Sequence, residues 1–181
     1  TPSIGVDAIG HIHVTAGMHN SGWQYFVSAR PGDVSEFVKR NWDDTGRIPG
    51  DRITYPRFVR DPQERLYVTY RTRATTAGGQ PGWTGGAMAR YDAASRTWES
   101  LGAPAPHEKA YTPVLAWNAS GQPHETIGAW YQSYRADTHI DGRNRLHYAY
   151  VSYGDGAATT TGGNASGASH LIYAASPDGG E

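Results

Sequence analysis

The chain has 181 residues, 16 basic against 17 acidic, and no cysteine. The lack of cysteine excludes disulfides and cysteine chemistry, and the near-neutral charge offers no field for nucleic acid or an anionic surface. No apolar run approaches the roughly 20 residues a membrane helix needs, while Gly 23, Tyr 12 and Trp 6 against Met 2 and Phe 3 favour pleated surfaces and tight turns, hence an all-β chain.

The chain opens on Thr1-Pro2, without Met or a signal peptide, and reaches a strand-like run at Ile12-His13-Val14. It closes on Ser176-Pro177-Asp178-Gly179-Gly180-Glu181, which reads as a turn. The expectation is one partial domain over residues 1–181, cut from a longer protein at both ends. His11, His13 and His19 fall within nine residues. On a strand, His11 and His13 would share a face, which leaves room for a structural zinc or calcium, although no cysteine or nearby acid argues for catalytic zinc. His19 and Asn20 follow the first strand, close to Trp23 and Tyr25. Tyr25 to Arg30 then reads as a strand entering the turn Pro31-Gly32-Asp33. Val34 to Trp42 is the only segment where a helical turn is expected.

Thr54 to Arg71 reads as two strands joined by a polar turn at Asp61 to Glu64, with Pro62 suited to the turn. Leu66, Val68 and Tyr70 alternate with Tyr67, Thr69 and Arg71, the period of a strand. Tyr55 precedes Pro56, which predicts an extended backbone there. Arg57, Arg60, Arg71 and Arg73 flank it, and nearby guanidinium groups favour a phenolate, the state a tyrosine needs to remove a carbon-bound proton. The bland alternative is that Tyr55 packs and the arginines decorate strand edges. Thr72 to Gly86, with five Gly and one Pro, reads as a loop, as does Ala157 to Ser169. Between them lie a hairpin at Ala87 to Trp98, a second Tyr-x-Pro at Tyr111-Thr112-Pro113, the aromatic cluster Trp130 to Arg135 and a strand at Leu146 to Val151. A last strand covers His170 to Ala175.

Internal repetition organises these elements. Val6-Asp7 through Val14 lines up with Val59-Arg60-Asp61 through Val68, and more loosely with Trp117-Asn118 through His124. Asp7, Asp61 and Asn118 are 54 and 57 residues apart. Four strands in about 50 residues is the size of one β-propeller blade, which predicts three to four blades here. A β-sandwich is the structural rival, and it does not predict the repeat. Gly-x-Ser-x-Gly, phosphate-loop, dinucleotide and EF-hand motifs are absent. The carboxylates sit mostly in turns, so the paired acids of an ordinary glycosidase are not evident.

Gly10 to Val14, Gly17-Met18-His19-Asn20, Ile53-Thr54-Tyr55-Pro56-Arg57-Phe58, Tyr70-Arg71, Ala110-Tyr111 and Ser169 to Gly180 together resemble the BNR-repeat propellers that include the ulvan lyases. The resemblance implies a propeller, seven-bladed at full length, that is secreted or periplasmic, monomeric and free of redox cofactors, and that cleaves an acidic, uronate-containing polysaccharide by β-elimination. It further implies His19, Tyr55 and Arg71 as catalytic residues, with Asn20, Arg57, Tyr111 and His170 as substrate contacts. The chain departs from the family pattern at Ser169, where Asn is expected, and at Trp130 to Arg135, where Trp-x-Trp-Arg is expected. Two other functions stay open: a carbohydrate-binding propeller without catalysis, and a sialidase-like hydrolase, since Ser176-x-Asp178-x-Gly180 is similar to an Asp-box.

Overall fold

A computed structural model of the chain describes residues 2–40, 52–75, 81–102, 114–118, 123–126, 136–153 and 169–177. These residues form 14 strands and, among the described residues, no helix. The chain divides into two compact units, Thr1–Pro113 and Val114–Glu181.

The first unit holds two antiparallel sheets. One contains β1 (Ser3–Val6), β2 (Ile12–Thr15), β4 (Tyr25–Ser28) and β5 (Phe37–Arg40) in that order. The other runs β6 (Arg52–Arg60), β7 (Leu66–Thr75), β8 (Pro81–Asp92) and β9 (Thr97–Gly102), and β3 (His19–Ser21) pairs with its β6 edge. Each is a four-stranded meander of propeller-blade type, and the first lends a short strand to the second. The second unit contains the hairpin of β10 (Val114–Trp117) and β11 (Pro123–Thr126), and the sheet of β12 (Ala136–Ile140), β13 (Leu146–Tyr153) and β14 (Ser169–Ser176).

Two expectations about which segments form strands are corrected. Where a helical turn is expected at Val34 to Trp42, Phe37–Arg40 instead pairs with β4, residue 25 opposite residue 40 through 28 opposite 37. A free edge in need of partners outweighs the weak helical pattern. The glycine-rich stretch read as a loop is strand for most of its length: β7 runs on through Thr75 and β8 begins at Pro81. Gly86, Gly85 and Gly82 stand opposite Arg71, Thr72 and Ala74, so ladder pairing overrides the poor strand propensity of glycine.

The Asp turns explain the repeat physically. Asp7 Oδ1 accepts the backbone N–H groups of Ile9 and His11, Asp61 Oδ1 those of Gln63 and Arg65, and Asp141 Oδ1 those of Arg143 and Arg145. The residue three after each Asp (Gly10, Glu64, Asn144) has a positive φ, of 92°, 66° and 57°. Each second carboxylate oxygen reaches six residues ahead, to His13, Tyr67 or His147. One acidic side chain thus satisfies the turn and pins the following strand. The Asp141 turn is an addition to the expected copies; at the third expected copy Asn118 is buried, and residues 119–122 lie outside the described part.

In the first unit this device is sealed into the core. His13 is fully buried, with Nδ1 2.7 Å from the Tyr25 hydroxyl and Nε2 3.2 Å from Asp7. Trp98 Nε1 donates to the Tyr25 oxygen at 3.3 Å. With Asp7 ionised, one direction satisfies every group: Trp98 to Tyr25, Tyr25 to His13 Nδ1, and His13 Nε2–H to Asp7. Phe58, Tyr91 and Trp98 of the second sheet surround the His13 ring. The sheets also meet at Gly5, where an added Cβ would come within 2.7 Å of Phe58 and 2.8 Å of Leu66, and where Ser3 Oγ accepts the Phe58 N–H.

Burial pushes the His13 imidazole below its usual value and the neighbouring His11 adds to this, outweighing the bond and charge of Asp7. Burial would raise Asp7, but its hydrogen bonds from His13, His11 and Ile9 hold it below the usual carboxylate range. Both shifts have the same sign: the unfolded chain binds these protons more readily, so stability is full above about pH 6.5 and falls below it. Urea midpoints are expected to drop between pH 7.5 and 5.5, at up to about 1.4 kcal/mol per pH unit from His13 alone. His13→Gln flattens that slope, and an unchanged wild-type midpoint over this range would refute the neutral assignment.

Candidate functional site

The site lies where β3, β6 and β7 run side by side. His19 stands opposite Thr54, and Thr54 stands opposite Arg71 on its other side. Residues directly opposite in antiparallel strands project to the same face, so His19, Thr54 and Arg71 form one row across the sheet.

Tyr55 would alternate to the other face of a regular strand. It does not, because Tyr55 and Pro56 together face the single residue Tyr70, making a β-bulge between the Thr54–Arg71 and Arg57–Thr69 pairs. Tyr55 has φ 53°, in the left-handed region, which corrects the extended backbone expected before Pro56. This conformation costs about 1–2 kcal/mol for a residue with a Cβ, and the surrounding ladder enforces it. Its effect is to turn the ring onto the row. The Arg71 guanidinium carbon lies 5.1 Å from the Tyr55 ring centre, and the His19 ring meets Tyr55 edge-on at 5.9 Å.

A second irregularity flanks the first. Ser21 stands opposite Ile53, so Asn20 is an extra residue on β3, again with a left-handed φ of 55°. Its N–H donates to Thr54 Oγ1 at 3.0 Å, and the Thr54 hydroxyl donates to Asn20 Oδ1 at 3.2 Å. Below the loop Met18 is buried in the core, its sulfur 3.2 Å from the Gln24 nitrogen, and Trp23 packs edge-on against the buried Tyr70 at 5.0 Å. Exposure grades the site from rim to floor: His19 is exposed, Tyr55 half-buried, and Arg71 only 6% exposed. A charge so deep acts through a medium less polarisable than water, which strengthens its pull on an anion reaching it.

The structure therefore brings His19, Asn20, Tyr55 and Arg71 together. Arg57 stands opposite Thr69, one pair further along the same face as Arg71. His170 belongs to the second unit, in β14 opposite Ser152, and Tyr111 lies outside the described residues. His11 and His13 do not act as a ligand pair. His11 Nδ1 bonds the Ser28 carbonyl at 2.9 Å, and both His13 nitrogens are occupied within the core. Among the described residues no group of three or more His, Asp or Glu is placed to hold a metal. Sequence reasoning passes over Thr54, whose only signal is its place immediately before Tyr55.

A family profile described as "BNR repeat-containing family member" matches residues 1–181. No curated protein matches the chain. Among solved structures, an ulvan lyase described as a new family of polysaccharide lyase and bound to -[GlcA(1-4)Rha3S]- shares 16% identity over 84% of this chain and 32% of its own, at a TM-score of 0.46. A second structure of an ulvan lyase gives 17%, 86%, 33% and 0.47. An α-L-arabinofuranosidase from Clostridium thermocellum gives 12% identity over 99% of this chain and 69% of its own, at 0.47. The chain spans about a third of the length of the ulvan lyase structures.

Proposed function

This chain belongs to the BNR repeat-containing family, and we propose that its His19–Tyr55–Arg71 cluster makes it part of a polysaccharide lyase, secreted or periplasmic, that cleaves a uronate-containing, ulvan-like polymer by β-elimination. One observation carries the reading: a phenol, an imidazole and a deep guanidinium converge on one face although a regular ladder would turn the phenol away.

The chemistry divides among these groups. The C5 proton of a uronate is acidic only while the adjacent carboxylate is neutralised, because the developing enolate adds negative charge there. Arg71 pairs with that carboxylate and stabilises the added charge. Tyr55, as phenolate, takes the proton from C5. The C4–O bond then breaks as the C4–C5 double bond forms. The departing oxygen leaves with a proton from the Tyr55 hydroxyl or from His19, and no water or redox partner is consumed. Asn20 and Arg57 are the groups for sugar hydroxyls and further acidic substituents.

A sialidase-like hydrolase needs a glutamate paired with its tyrosine. Among the described residues Glu64 and Glu99 are paired at the surface with Arg60 and Arg90, and Glu108 lies outside them. A single assay separates the alternatives. Incubated with uronate polysaccharides such as ulvan, the full-length protein is expected to raise the ultraviolet absorbance of a C4–C5 double bond. Reducing ends without that absorbance would indicate a hydrolase, and binding without either would indicate a carbohydrate-binding propeller; each of these outcomes overturns the lyase.

A further inference from the structure

Thr54 is fully buried and touches all three strands of the site, yet nothing in the proposed elimination uses it. It is the shared regular position between two bulges. On one side the extra residue is Asn20, on the other Tyr55, and both are left-handed. A bulge takes a backbone N–H out of the ladder and leaves it needing an acceptor. For Asn20 that acceptor is the Thr54 hydroxyl, which returns its own proton to Asn20 Oδ1. Both capacities of one hydroxyl are thereby spent on holding one residue in a conformation that residues with a Cβ seldom adopt.

The consequence reaches the acting groups. His19 immediately precedes Asn20, Tyr55 immediately follows Thr54, and Arg71 stands directly across from it. If Asn20 returned to a regular ladder, the register of β3 on β6 would slip by one residue. A one-residue slip turns every side chain of a strand to its other face, which would carry His19 away from Tyr55.

We propose that Thr54 is the positioning residue of this site: its hydroxyl locks the Asn20 bulge and so sets His19 against Tyr55 and Arg71. This rests on the reading of His19, Tyr55 and Arg71 as the reacting cluster, and the test separates the two. Thr54→Val keeps the branched shape and removes the hydroxyl, whereas Thr54→Ser keeps the hydroxyl and removes the methyl. On a uronate oligosaccharide Thr54→Val is expected to lower kcat about 10²-fold, the effect of a displacement near 1 Å, with KM changed less than about threefold. Thr54→Ser is expected to stay within about threefold of wild type in kcat although it loses more packing and more thermal stability. A merely structural residue would give the reverse order, with activity following stability, and that result overturns the proposal.

An independent readout uses the His19 ring protons and the Asn20 amide by nuclear magnetic resonance. They are expected to move in Thr54→Val and not in Thr54→Ser, whether or not the protein eliminates any polymer. Unmoved signals in Thr54→Val overturn the clamp; moved signals without absorbance from wild type uphold the clamp and overturn the elimination. Should Thr54→Val not fold, Thr54→Cys grades the same loss through a weaker donor and acceptor.

Discussion

Tyr55→Phe is expected to abolish the ultraviolet signal of elimination, lowering kcat about 10²–10⁴-fold, the range a positioned general base contributes. The substitution removes one oxygen and leaves the ring. The face that Arg71 approaches at 5.1 Å and the edge contact with His19 at 5.9 Å both survive. The bulge also survives, because it is set by pairing on either side of residues 55 and 56 and by Pro56. Affinity for an uncleaved oligosaccharide is therefore expected to change less than about threefold, and calorimetry on the variant checks it. A loss in KM alone would make Tyr55 a contact rather than a base. Full activity would remove it from the mechanism and pass the proton to His19, which lies at the exposed rim. Tyr55→Gly would act differently: it relieves the left-handed strain at φ 53° while deleting the ring, so it is expected to be inactive without being less stable than Tyr55→Ala.

The contrast between residue identity and placement marks what the amino-acid sequence discloses. Alternation along Leu66 to Arg71 is a direct consequence of half-turn geometry in a strand, and the structure places those residues accordingly. The Asp turns are legible for a similar reason, since one carboxylate satisfying two N–H groups needs fixed local spacing; Asp141 and His147 carry the same six-residue interval as Asp7 and His13. Convergence of the site is a different matter. It depends on one extra residue at Asn20 and another at Tyr55, and a bulge is decided by how two strands register against each other, at separations of 34 residues for Asn20 and Thr54. Local rules point the other way there, because the residue before proline favours extended backbone. The same holds for the glycines at 82, 85 and 86, which read as a loop one by one and become a strand because β7 offers them a complete ladder. Long-range pairing wins wherever a segment with weak propensity would otherwise leave backbone groups without partners.

Arg71 provides the second large effect and the sharper test of substrate chemistry. Arg71→Gln is expected to lower kcat/KM on a uronate polymer by about 10²–10³-fold, the loss seen when one charge-stabilising donor is removed from a transition state. Arg71→Lys keeps the charge and gives up the planar fork that meets a carboxylate at two points, so it is expected to recover only part of that loss. Because Arg71 is 6% exposed and lies over the Tyr55 ring, a drop in rate alone could reflect a disturbed floor and not a missing partner for the carboxylate. The substrate resolves this. Methyl esterification of the uronate removes the negative charge that Arg71 is held to neutralise, and it makes the C5 proton acidic without help. On the ester the gap between wild type and Arg71→Gln is expected to shrink to less than about tenfold, and the interaction between the two changes measures the guanidinium–carboxylate contact itself. An equal loss on acid and ester would place Arg71 in the support of Tyr55, and the uronate would then have to be neutralised by another group, with Arg57, one pair along the same face, the first to substitute.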